Sequence, residues 1–140
     1  MKLLFNLRCR DIEAQLAFYR ALLDLPEAAY TRSPSFRSVH TPDFLFGFEA
    51  AARRASPDRP AAARRTAATR AGGYPIFLLD TPAEVDAVAA RVEVLGGQLL
   101  RAPFATAYGQ WQALLADPEH NRLRLACEDL PPGISAPSSA

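Results

Sequence analysis

Leu3-Leu4-Phe5-Asn6-Leu7-Arg8-Cys9-Arg10-Asp11-Ile12-Glu13-Ala14-Gln15-Leu16-Ala17-Phe18-Tyr19 carries two hydrophobic periods in succession. Leu3, Phe5, Leu7 and Cys9 alternate with Leu4, Asn6 and Arg8, the period of a strand whose two faces meet different surroundings. Asp11 then caps a helix: its carboxylate can accept from the free amides of the first turn, and Glu13 suits the positive end of the macrodipole. Ile12, Leu16, Tyr19 and Leu23 share one face of that helix, and Pro26 stops it near Leu25.

The plan recurs in the second half. Pro75 to Leu79 is a short apolar run, and Thr81, Pro82 and Glu84 form a capping box with proline at the first helical position. Val85, Val88, Val92 and Leu95 make the buried stripe, and Gly96-Gly97 ends it. Strand-like segments follow each helix: Ala28 to Thr31, Phe36 to Thr41 and Phe44 to Glu49 after the first, then Gln98 to Ala102, Trp111 to Ala116 and Arg122 to Cys127 after the second. Ser33-Pro34, Pro42-Asp43 and Asp117-Pro118-Glu119-His120-Asn121 punctuate them. Each half therefore reads βαβββ, giving an α+β fold in one domain over residues 1–128. Module one covers 1–50 and module two 74–128.

Composition fits one compact domain. A chain of 140 residues with 49% hydrophobic content can bury a core without staples. Nothing approaches the length of an apolar membrane span, and the amino terminus reads as a strand rather than a signal peptide, so the expectation is a cytoplasmic protein. Cys9 and Cys127 fall on the apolar phase of the first and last strands, as small buried hydrophobes rather than disulfide halves or nucleophiles.

The net charge is only +1, yet Arg53, Arg54, Arg59, Arg64, Arg65 and Arg70 crowd the linker 51–73 against Asp58 alone. This stretch reads as a solvated linker with a short helix in Pro60 to Ala71, or as a basic flap over an anionic ligand. It lacks the aromatics that single-stranded nucleic-acid binders stack on, so no nucleic-acid partner is expected. Residues 129–140, rich in proline and serine, read as a disordered tail.

Three runs, Arg10 to Arg20, Leu79 to Asp86 leading to Gly96-Gly97, and Tyr108-Gly109 to Asn121, together resemble the vicinal oxygen chelate superfamily, which includes glyoxalase I, bleomycin-resistance proteins and extradiol dioxygenases. The resemblance implies a strongly curved mixed sheet around a cleft, helices on the outer face, and commonly a homodimer. In metal-dependent members, four cleft side chains, usually His, Gln or Glu, hold a divalent ion that acts as a Lewis acid. Carried onto this chain, those positions are Leu4, Gly47, Tyr74 and Arg124, with Glu49 replacing Gly47 only if the register shifts by two. Leucine and glycine offer no donor, neutral tyrosine is a poor one and arginine is a permanent cation. No metal and no cofactor are therefore expected. His120 sits in the Asp-Pro turn where the family usually has glycine, and His40 in an internal strand; neither reads as a ligand.

If Phe5, Leu7 and Cys9 pack under the helices, Leu4, Asn6 and Arg8 face the cleft; if Leu123, Leu125 and Cys127 do, Arg122, Arg124 and Ala126 face it too. The candidate ligand-binding residues are Leu4, Asn6, Arg8, Tyr74, Tyr108, Trp111 and Arg124, although Trp111 reads equally well as core. Two functions follow. One is a metal-independent protein that binds an aromatic or anionic small molecule without chemistry, like the bleomycin-resistance branch. The other is an enzyme: a metal-dependent lyase or dioxygenase, or a metal-free catalyst whose base would be Glu49 or Asp43.

Overall fold

The computed structural model describes residues 1–51 and 73–138. The fold is α+β, with seven strands, two α-helices and a 3-10 turn among those residues. Module one holds β1 (Leu3–Cys9), α1 (Ile12–Leu23), the 3-10 turn Ala29–Thr31, β2 (Phe36–His40) and β3 (Phe44–Ala50). Module two holds β4 (Ile76–Leu78), α2 (Pro82–Ala89), β5 (Gln98–Ala105), β6 (Trp111–Ala116) and β7 (Arg122–Cys127).

Both helix starts form as the sequence dictates. The Asp11 carboxylate accepts from the amides of Glu13 and Ala14 at 3.1 and 2.9 Å. Thr81 Oγ1 accepts from the Glu84 amide at 3.2 Å while the Glu84 carboxylate takes the amide of Asp80, one residue before the cap. α1 ends on Asp24 in the left-handed conformation, before Pro26 is reached, and the turns after α2 end at Gly96, whose φ of 97° suits glycine.

The strands form two mixed sheets, ordered β1-β3-β2 and β4-β7-β6-β5, rather than one continuous curved sheet. In each, the module's first strand runs parallel to its last. Module two is βαβββ as expected; module one is βαββ. The strand expected at Ala28 to Thr31 is instead a 3-10 turn, because the Thr31 amide and hydroxyl both return to the Ala28 carbonyl. Only the bridge between Glu27 and Val39 remains of the pairing, so β2, read as internal, is the last full strand of its sheet.

One core lies between the helices and both sheets. Leu16, Tyr19 and Leu22 of α1 and Val85, Ala89 and Val92 of module two meet Phe46, Phe48, Ala113, Leu115, Leu123 and Leu125. Cys9 and Cys127 are buried free thiols. Burial, reinforced by the nearby Glu119 and Asp117 charges, pushes the Cys9 thiol up to about 12, which keeps it an inert hydrophobe. No helix of the described residues is long and apolar enough to cross a membrane. The expected helix in Pro60 to Ala71 lies outside the described residues, and Asp129 to Ser138 contains no helix or strand.

The modules are tied together at the Asp-Pro turn. Asp117 is almost fully buried, and its Oδ2 accepts from Gln15 Nε2 and Tyr19 OH of α1, both at 2.9 Å. Its Oδ1 accepts from the Glu119 and Asn121 amides within its own turn. Glu119 reaches back to the entry of α1, accepting from the amides of Arg10 at 2.7 Å and Asp11 at 3.0 Å. A positive φ of 67° at His120 turns the chain, which accounts for glycine at this place in the resembled family.

Candidate functional site

The expected phase of the strands is the observed one. Phe5, Leu7 and Cys9 belong to or pack against the core, as do Leu123, Leu125 and Cys127. The opposite face of the first sheet therefore presents Leu4, Asn6 and Arg8. Their register partners on β3 are Leu45, Gly47 and Glu49. Glu49 is paired with Arg8 at 3.9 Å. Gly47 is roofed over: a Cβ there would collide with Asn6 Oδ1 and with the Phe36 ring.

On module two the same face carries a connected array. Arg124 lies opposite Ile76 on β4 and Leu114 on β6. Its guanidinium stands 4.8 Å over the Tyr74 ring, a cation–π contact, and its NH1 donates to Gln112 Oε1 at 3.1 Å. Gln112 Nε2 in turn donates to Tyr108 OH at 3.0 Å and Gln110 Oε1 at 2.8 Å. Among the described residues no carboxylate lies within salt-bridge distance of Arg124. The result is a half-buried cation held by a ring on one side and an amide on the other, with most of its five N–H donors left for a ligand.

Of the candidate residues, the structure joins Tyr74, Tyr108 and Arg124 in this array. Leu4, Asn6 and Arg8 stand on the corresponding face of the other sheet, without hydrogen bonds to them among the described residues. For Trp111 the core alternative is the observed one. The residue lies opposite Ala105 and Cys127, on the helix side of β6, and its Nε1 donates to Asp86 of α2 at 2.7 Å. A strand residue cannot face both ways, so the indole packs against the core instead of lining the open face. The residue that sequence reasoning missed is its neighbour Gln112, 1% exposed and joining Arg124 to Tyr108. The hairpin register was the available signal: counting from the Asp-Pro turn, Ala116 faces Arg122, Leu114 faces Arg124 and Gln112 faces Ala126.

The donor set does not fit a divalent ion. Gly47 lies opposite Asn6 in module one, and Arg124 lies opposite Ile76 in module two. Neither Gly47 nor Arg124 supplies a donor, nor does Leu4, and Tyr74 is engaged through its ring by a cation. Glu49, the shifted alternative, forms an exposed ion pair with Arg8 and belongs to no cluster of donors among the described residues. Among the described residues no three His, Cys, Asp or Glu side chains cluster as a metal site would need.

A cavity of about 650 Å³ opens beside this array, between the two modules. Phe5, Phe44 and Phe46 line it from module one, and Tyr74, Ile76 and Phe77 from module two.

The model of the Glyoxalase/Bleomycin resistance protein/Dioxygenase superfamily matches residues 3–125. Among solved structures, a glyoxalase/bleomycin resistance protein/dioxygenase family enzyme from Burkholderia phytofirmans PsJN is 29% identical, with a TM-score of 0.70 over 89% of this chain and 95% of its own. A glyoxalase/bleomycin resistance protein from Albidiferax ferrireducens T118 is 20% identical, with a TM-score of 0.68 over 89% and 95%. A lactoylglutathione lyase from Agrobacterium tumefaciens is 19% identical, with a TM-score of 0.64 over 91% and 92%. The last two share the fold. No curated protein matches the chain.

Proposed function

Because this chain belongs to the Glyoxalase/Bleomycin resistance protein/Dioxygenase superfamily, we propose that it uses the superfamily's open face to bind an aromatic or anionic small molecule without a metal ion. The observation that carries this reading is the environment of Arg124. It occupies a metal-ligand position of the resembled family, yet it is a permanent cation backed by the Tyr74 ring and the Gln112 amide. A carboxylate or enolate oxygen brought there meets charge-assisted donors already held in place. A planar ligand also finds the faces of Tyr74 and Tyr108 within the same array. Leu4, Asn6 and Arg8 extend the proposed surface on module one.

The metal-dependent lyase or dioxygenase would need donors that these positions lack, and the metal-free catalyst would need Glu49 released from Arg8. The reading includes a cytoplasmic homodimer with neither nucleic acid nor membrane as partner; sedimentation equilibrium tests the oligomer.

Two measurements test the function. Protein incubated with nickel, iron, manganese or zinc and then desalted should retain far less than one equivalent by plasma mass spectrometry; near-stoichiometric retention would return the metal-dependent reading. Calorimetric titration with 1-naphthoate should show binding that Arg124→Ala weakens roughly tenfold or more, the loss expected for a hydrogen bond to a charged group. Trp111→Phe should leave it unchanged. Binding that ignores Arg124 would overturn the assignment.

A further inference from the structure

The apolar cavity between the modules is not used by the array, yet shares a wall with it. Tyr74 carries the Arg124 guanidinium on its ring and also lines the cavity. Its volume of about 650 Å³ lies in the range of small-molecule sites, about 300–1,000 Å³. The aromatic side chains Phe44, Phe46 and Phe77 belong to one ring cluster, with centroids 5.4 and 6.3 Å apart for the pairs that include Phe77, so the inner wall is preformed. The outer wall is unusual: Leu3, Ile76 and Leu78 are 66, 45 and 60% exposed, a contiguous apolar edge on two first strands that do not pair. Its polarity is also uneven. The single carboxylate of the lining, Asp43, comes from module one, whereas the wall contributed by Tyr74 borders a cation that no acid among the described residues neutralises.

We propose that this cavity receives the hydrocarbon part of an amphiphilic carboxylate whose head group is held by Arg124. The assignment rests on the function proposed above and narrows it to a ligand class: one anionic head joined to an extended apolar body. Tyr74 joins the two parts of the site, since it lines the cavity and carries the cation on its ring. Asp43 sets the direction, because a carboxylate head is repelled from the module-one wall and attracted to Arg124.

The test is a calorimetric series of straight-chain carboxylates from butanoate to decanoate, each below its micellar concentration, against the full chain. Affinity should rise about fourfold per added methylene, the effect of burying one CH₂, until the cavity is full. Ile76→Trp and, independently, Leu3→Trp fill the cavity from its exposed edge and should flatten that slope. Arg124→Gln should lower every member by a similar factor of roughly ten and preserve the slope. Arg124-dependent 1-naphthoate binding with no chain-length slope would overturn the cavity assignment and leave the proposed function standing. A slope indifferent to Arg124 would overturn both. Ile76→Trp that shifts the sedimenting species toward monomer without touching the slope would show that a second copy fills the cavity, and would also overturn it.

Discussion

Modules one and two repeat a strand, a helix and a parallel return strand, but the turn before each return strand does different things. In module one, Thr41 Oγ1 accepts from the amides of Asp43 and Phe44, both at 3.2 Å, and the turn is satisfied within itself. In module two, Asp117 satisfies its own turn with one oxygen and α1 of the other module with the second, while Glu119 takes two more amides at the start of that helix. The open faces diverge in the same way. Module one neutralises Arg8 with Glu49, whereas module two keeps Arg124 without an acid among the described residues and buttresses it with a buried amide. The two modules share a backbone plan, while the inter-module hydrogen bonds and the cation without an acid partner among the described residues come from the second.

Asp117→Ala should break the comparison most forcefully. It strands the donors of Gln15 and Tyr19 in the core and frees the half-buried Asn121, and a cost of about 3 kcal/mol or more is expected in urea denaturation. Thr41→Ala, its counterpart, should cost about 1 kcal/mol, the scale of a lost cap or turn bond. Equal losses would show that the inter-module role of Asp117 carries no extra weight.

Gln112→Glu addresses the open faces. The new carboxylate neutralises Arg124 as Glu49 neutralises Arg8, so 1-naphthoate affinity should fall about tenfold, the equivalent of about 1.4 kcal/mol. Glu49→Gln, which frees Arg8, should change it by less than about threefold, within the reach of a surface pair. If freeing Arg8 raised affinity as much as neutralising Arg124 lowered it, the two faces would be equivalent.

Trp111→Phe should lower stability by about 1 kcal/mol through loss of the bond to Asp86, with no effect on ligand affinity. The smallest effect is expected at Glu27, whose carboxyl the Arg32 hydrogen bond holds below its ordinary value. A depressed carboxylate stabilises the fold above its unfolded-state pKa and loses that contribution as pH falls through the folded value. Thermal melts of Glu27→Gln and wild type should therefore differ slightly at neutral pH and converge in acid.

The helix starts, the faces of β1 and β7 and the turn at Asp117 were legible because each rests on local chemistry: a cap, an alternation, a proline. The Ala28 to Thr31 segment was not, since Thr31 turning back on Ala28 competes with strand pairing and composition does not rank the two. Trp111 shows a different limit. Its place on a strand where the resembled family often puts ligand contacts stood evenly against a place in the core, and only the pairing of β6 with β7 settles its side; the same count brings forward Gln112, which composition alone gives no reason to single out. The inter-module hydrogen bonds join residues about a hundred positions apart and lay outside any local pattern.

Gly47 also acts as a ratchet. With the Asn6 amide and the Phe36 ring settled over its bare backbone, a histidine or glutamate placed there requires both side chains to move aside. An engineer who wished to reinstall a metal donor at that strand position would have to let the Asn6 amide and the Phe36 ring rotate away with it, so the first step back toward a donor involves three side chains rather than one.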